Sequence, residues 1–92
     1  MLEAAEKGNL SLGEALIGSG ENIEFRDENE WTPLLKAVYE GHITVSVFLL
    51  DQRADVNAKN KYGWTPYSIT HTWTTSNMEE LKSIVVSHGA VP

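Results

Sequence analysis

The 92-residue chain contains no cysteine. That removes disulfide frameworks, thiolate nucleophiles, cysteine-based zinc sites and iron–sulfur clusters, and it fits an intracellular, cytoplasmic address. Long apolar runs are missing too: the longest, Val47-Phe48-Leu49-Leu50, falls far short of the roughly 18 residues a membrane span requires, so no membrane role is expected. The opening residues Met1-Leu2-Glu3-Ala4-Ala5-Glu6 are acidic where a secretory leader begins basic. Basic residues are scarce, with seven Lys and Arg against 13 Asp and Glu and a formal net charge of −6. Binding to phosphate backbones draws on clustered Lys and Arg, so this balance argues against nucleic acid; Arg53 to Lys61 is the single basic stretch. The sequence also lacks a nucleophile-elbow pattern, a phosphate loop, a dinucleotide fingerprint and a His-Glu-x-x-His spacing. His42, His71 and His88 are spaced like no metal motif. A non-catalytic chain without metal or cofactor is therefore expected. Asn9-Leu10-Ser11 fits a glycosylation sequon and reads as a chance match.

What is present is a folding composition, 41% hydrophobic and 22% charged, in a length that allows one small domain. The charge is uneven. Residues 1–46 hold nine acids and three bases, whereas in the second half Asp51, Asp55, Glu79 and Glu80 are matched by Arg53, Lys59, Lys61 and Lys82.

The chain repeats itself. Trp31-Thr32-Pro33 recurs as Trp64-Thr65-Pro66 at an offset of 33 residues, and at that offset Asn22-Ile23 aligns with Asp55-Val56, Gly8-Asn9-Leu10 with Gly41-His42-Ile43, and Leu16-Ile17 with Leu49-Leu50. A period of 33 with Thr-Pro-Leu, a following Ala, Gly-His and Leu-Leu resembles the ankyrin repeat, a β-turn followed by two antiparallel helices. The resemblance is close over 27–59, where Asp27, Trp31-Thr32-Pro33-Leu34, Ala37, Gly41-His42, Leu49-Leu50 and Ala54-Asp55-Val56-Asn57-Ala58 stand in place. It implies an all-α solenoid of antiparallel helix pairs joined by β-turn or hairpin loops. Residues 1–26 resemble a partial repeat without its turn, 27–59 a full one, and 60–92 a terminal one. In the last, Ile84-Val85-Val86 and Gly89 sit 36 residues after their counterparts, so about three residues are inserted between Thr72 and Asn77.

Local chemistry supports these positions. Thr-Pro opens the first helix of a pair, because Thr accepts from an orphan N–H and proline at the first helical position strands none. Gly8 and Gly41 break the chain between helices, and Ile43, Val45, Phe48, Leu49 and Leu50 form a core stripe. Ser76 with Glu79 has capping-box spacing ahead of Met78, Leu81, Ile84 and Val85, which predicts a helix over about 77–87. Glu79, Glu80, Lys82 and Ser83 make that helix a solubilising cap. Gly20 and Gly89 end second helices, where a left-handed residue is common. Arg53 takes that place in the middle repeat, at a cost of about 1 kcal/mol if the geometry is kept. Glu30 stands where Gly63 does, so the two turns are expected to differ in shape. The histidine that usually ends the family's Thr-Pro-Leu-His motif is replaced by Leu35 and Ser68, and its hydrogen bonds cannot be carried over.

The resemblance further implies a protein–protein interaction module, with contacts from the turn tips and the inner face of the first helices. Those positions are Arg26, Glu28, Asn29, Trp31, Tyr39 and Glu40, then Lys59, Lys61, Tyr62, Trp64, Thr72 and Trp73, with Glu6 and Lys7 in the first repeat. Trp and Tyr are enriched in interface hot spots; the competing reading is that Trp31 and Trp64 pack on each other and stiffen the turns. Five carboxylates between Glu21 and Glu30 face the turn of Lys59 and Lys61. Either both are solvated surface loops, or the acidic turn steers a partner with a basic patch. An alternative function is self-association, a homo-oligomer formed where the incomplete first repeat leaves Leu2, Ala5 and Leu12 uncovered. Asn57 is expected to tie its turn by side-chain hydrogen bonds, ahead of serving as a site of hydroxylation.

Overall fold

The computed structural model describes residues 1–72 and 77–91, and all structural statements concern those residues. They contain six helices and no strand: α1 Leu2–Lys7, α2 Leu10–Gly18, α3 Pro33–Tyr39, α4 Ile43–Asp51, α5 Pro66–Thr72 and α6 Met78–Ser87. Helices pair as α1 with α2, α3 with α4 and α5 with α6. The first helices stack α1–α3–α5 and the second helices stack α2–α4–α6, giving two layers within 33 × 24 × 21 Å. This is the all-α solenoid that the repeat implies.

The helix signals act as the sequence predicts. Thr32 Oγ1 accepts from the Leu35 N–H at 3.2 Å, and Thr65 Oγ1 accepts from the Ser68 N–H at 3.2 Å, each followed by proline in the first turn. Ser68 adds a reciprocal bond, its Oγ accepting from the Thr65 N–H at 2.8 Å, while Leu35 is fully buried in the core. Helix α6 is preceded by Asn77 rather than by the predicted Ser76 cap, and Ser76 lies outside the described residues. The α5–α6 connection occupies residues 73–77, against 40–42 and 8–9 in the other pairs.

Pairs are joined by polar pegs from the residues that precede the second helices. His42 Nε2 lies 2.9 Å from the Glu6 carbonyl oxygen, and Asn77 Nδ2 donates to the Gly41 carbonyl at 2.8 Å. A Cβ on Gly8 would sit 2.6 Å from His42 Nδ1, so glycine is required there both for space and for its φ of +68°. Asn57 does not tie its own turn with its side chain as expected: Asp55 Oδ1 does so by accepting from the Asn57 N–H at 2.9 Å, while the Asn57 Nδ2 donates to Gly89 O at 3.2 Å and its Oδ1 accepts from Val91 N at 2.9 Å. It ties the second pair to the chain after the third. Glu24 does the same between the first two, accepting from Asp55 N at 2.7 Å.

The core runs through all three pairs, with Ala5, Leu34, Leu35, Val38, Val45, Leu49, Ile69, Leu81 and Val85 buried. Two expectations change. Ala5 is fully buried in the core cluster, on a helix packed against α3, and Met1 is buried in the same cluster; of the residues assigned to self-association, Leu2 and Leu12 remain, both half-buried. The turns at 27–31 and 60–64 share one shape, as shown below.

At the far end, positions buried in the second pair carry polar or exposed side chains in the third. Val38 is buried and its counterpart His71 is exposed; Leu50 is 6% exposed and its counterpart Val86 is 49% exposed. The Tyr67 ring carries the His71 ring stacked at 6.2 Å and the Lys82 ammonium at 5.8 Å.

Candidate functional site

Each turn is built on one side chain. Asp27 Oδ1 accepts from the N–H groups of Asn29 and Trp31, both at 2.9 Å, and Asn60 Oδ1 accepts from those of Tyr62 and Trp64 at 2.9 and 3.0 Å. The chain then reverses, with Glu30 N bonded to Asp27 O and Gly63 N to Asn60 O. Glu30 takes a φ of 63° where Gly63 has 83°, and Arg53 a φ of 67° where Gly20 and Gly89 have 87° and 95°. The left-handed geometry is thus kept in spite of the substituted residues. The turns are stitched together by Lys61 N donating to Asn29 O at 3.0 Å and by the Arg26 guanidinium, whose Nη1 donates to Lys59 O at 2.7 Å and Glu30 O at 3.2 Å.

This platform aims the aromatic residues at one another. Trp31 meets Trp64 edge-on at 5.6 Å and Tyr39 edge-on at 5.2 Å; Tyr39 and Trp64 lie at 6.3 Å with planes 21° apart; Tyr62 joins Trp64 at 5.7 Å. The result is a continuous cluster from α3 across the second turn. Edge-to-face pairs contribute about 0.5–1.5 kcal/mol beyond area burial. Trp31 is buried at 8% exposure, so it supports the cluster from beneath instead of presenting a surface; Tyr39 and Tyr62 are exposed and Trp64 is half-buried. The packing of Trp31 on Trp64 is therefore real, and it coexists with exposed tyrosines on the same cluster.

The charged groups separate in the same way. Glu21 lies 3.5 Å from the N-terminal ammonium, while Glu24 and Asp27 are spent on backbone N–H groups. Arg26 is held between the turns. Glu28, Glu30, Glu40, Lys59, Lys61 and Thr72 are exposed, Asn29 is half-buried, and among the described residues none of these four lysine and glutamate tips at 28, 40, 59 and 61 makes an ion pair. Asn29 Oδ1 stands 3.5 Å from the Tyr62 hydroxyl. Trp73 lies outside the described residues. Sequence reasoning missed Lys36, whose ammonium sits 4.8 Å from the Trp31 ring centroid; its place one helical turn before Tyr39 and Glu40 on α3 was the available signal.

The ankyrin-repeat family model, three copies of the repeat, matches residues 1–88. The chain belongs to the ankyrin-repeat family. Ankyrin repeats are in general protein–protein interaction modules. Among its relatives, human ankyrin repeat domain-containing protein 49 is 41% identical over 59 residues, covering 63% of this chain and 25% of that protein. Mouse protein phosphatase 1 regulatory subunit 12A is 30% identical over 79 residues, 86% of this chain and 8% of that protein. Mouse protein phosphatase 1 regulatory subunit 27 is 38% identical over 64 residues, 70% of this chain and 42% of that protein. The chain spans less than half the length of each of these relatives. No helix among the described residues of this ankyrin-repeat chain is long and apolar enough to cross a membrane.

Proposed function

We propose that the chain is a non-catalytic module that binds a partner protein on the side formed by its two turns and the ends of α3 and α5. Tyr39, Tyr62 and Trp64 form the centre of the contact, with Glu28, Asn29, Glu40, Lys59, Lys61 and Thr72 around them. Trp31 supports the surface from below, and the exposed Arg26 holds the two turns together. The carrying observation is the aromatic cluster itself: four rings linked through Trp64, two of them exposed, on a turn platform stitched by backbone and guanidinium bonds. Exposed aromatics on a rigid base bury much area at little entropic cost. Two of the relatives are, by name, regulatory subunits, which supports binding over catalysis, and the absence of cysteine supports an intracellular, cytoplasmic address.

The test uses exposed residues so that folding is spared. Tyr39→Ala with Tyr62→Ala should abolish capture of a partner by the immobilised chain while its helical circular dichroism is unchanged. Capture that survives in the folded double variant assigns binding to another face.

A further inference from the structure

Arg26 carries more donors than the stitch between the turns uses. A guanidinium has five N–H groups in a planar fork and no acceptor. Both hydrogens of Nη1 are spent, on Lys59 O at 2.7 Å and on Glu30 O at 3.2 Å. The three on Nε and Nη2 meet no acceptor among the described residues. The side chain is exposed and stands in the acidic run from Glu21 to Glu30, yet among those residues it makes no ion pair. Two of its acidic neighbours are engaged elsewhere: Glu24 accepts from Asp55 N, and Asp27 from the N–H groups of its own turn. Lys59 and Lys61, on the turn that the guanidinium holds, are exposed and also make no ion pair among the described residues.

Held by two carbonyls, this guanidinium is a preorganised fork. Its Nε–H and the adjacent Nη2–H run parallel along one edge and match the two oxygens of a carboxylate or a phosphate. Fixing that edge beforehand reduces the rotamer freedom lost on binding. Glu28 and Glu30 are exposed on the same turn, and the chain has a net charge of −6. Both repel a phosphate, with its charge of about −1.5 to −2, more than a singly charged carboxylate. We infer that the Nε–Nη2 edge of Arg26 seats a carboxylate of the partner protein, an Asp or Glu side chain bound through both oxygens beside the aromatic face. The residue that holds the turns together thereby also selects what lies across them. This rests on the reading of the aromatic face as the contact surface, and it adds one anchored charge to what binds there.

Three nine-residue peptides on a Gly-Ser background provide the probe, carrying at the centre two glutamates, two glutamines or one phosphoserine. Each is titrated into the isotopically labelled chain at physiological salt, following the Arg26 Nε–H signal. The glutamate peptide should shift that signal and bind about two- to fivefold more tightly than the glutamine peptide, the upper range of an exposed ion pair. In Arg26→Gln, folded by circular dichroism, the preference for glutamate should vanish, and Arg26→Lys should restore only part of it, since an ammonium keeps the charge without the fork. A stitch that merely shapes the surface predicts something else: both peptides weakened alike, with the preference kept. Equal binding of the glutamate and glutamine peptides by the unaltered chain, a preference that survives Arg26→Gln, or tighter binding of the phosphoserine peptide than of the glutamate one each overturns the inference. If that happens while Tyr39→Ala with Tyr62→Ala still abolishes partner capture, the face stands and only the carboxylate seat is lost; if capture also survives, the face itself falls.

Discussion

The turn at 27–31 and the turn at 60–64 have one geometry and two chemistries. The first is anchored by a carboxylate and reversed by a glutamate; the second is anchored by an amide and reversed by a glycine. Their side-chain bonds nevertheless agree within 0.1 Å, and both reversing residues are left-handed. The shape is therefore set by the anchor and by the packing of the tryptophan that follows, not by the residue that reverses the chain. Glu30 is held left-handed although L-residues with a Cβ lose roughly 1–2 kcal/mol there. Part of that loss is recovered where the Arg26 guanidinium donates to the Glu30 carbonyl oxygen. The second turn carries a different burden. Asn60 is 5% exposed, and its Nδ2 has no hydrogen-bond partner, whereas Asp27 has an oxygen at the corresponding atom.

The comparison can be broken most forcefully at the anchors. Asp27→Ala removes the acceptor of two N–H groups and should lower stability by about 1.5–3 kcal/mol, the range for hydrogen bonds to a charged group. Asn60→Ala also discards an unsatisfied donor, so it should cost less, about 1–2 kcal/mol. Urea midpoints followed by circular dichroism measure both, and the reverse order would show that the anchors are not equivalent.

The reversing residues come next. Gly63→Ala should destabilise by about 1–2 kcal/mol and Glu30→Gly should stabilise by about 1 kcal/mol, since each moves a Cβ into or out of the left-handed region. A neutral Glu30→Gly would mean that the Arg26 bond and the entropy of glycine in the unfolded chain cancel the relief. The smallest changes sharpen the contrast of anchor and cap. Asn60→Asp should gain up to about 1 kcal/mol by replacing an orphan donor with an acceptor, and Ser68→Ala should cost about 0.5–1 kcal/mol by removing the reciprocal half of the Thr65 cap. Thermal melts of these two variants resolve them, and a loss for Asn60→Asp would show that desolvating the second oxygen outweighs the orphaned amide.

Much of this fold was legible because a period of 33 with Thr-Pro and Gly markers fixes where each helix begins and where the chain must turn left-handed. Register alone located Arg53 and Glu30 at positions where the other repeats have glycine, and both keep the left-handed φ of the glycines they replace. The expectation of unlike turns failed because it weighed the propensity of one residue against a network of five hydrogen bonds. The candidate site was legible as a set of positions, but not in its depth. Arg26 and Trp31 stand at contact positions, yet one spans the gap to Lys59 O and the other lies under Tyr39 and Trp64. Lys36 was overlooked because its partner, Trp31, precedes the helix that carries it, and a helical pattern does not show what lies beyond the helix end.

The sequence by itself determined the Thr32 and Thr65 helix caps, the left-handed glycines and the order of the apolar stripes, since these depend on residues within a few places of one another along the chain. Tertiary structure decided what each equivalent position does. Leu12, Val45 and Leu81 share a register, and Val45 and Leu81 are buried while Leu12 is half-buried; Trp31 is buried where Trp64 is half-exposed. In a stack of pairs, a side chain is covered by the pair beside it, so its burial depends on what stands one repeat away rather than on its own neighbours in sequence.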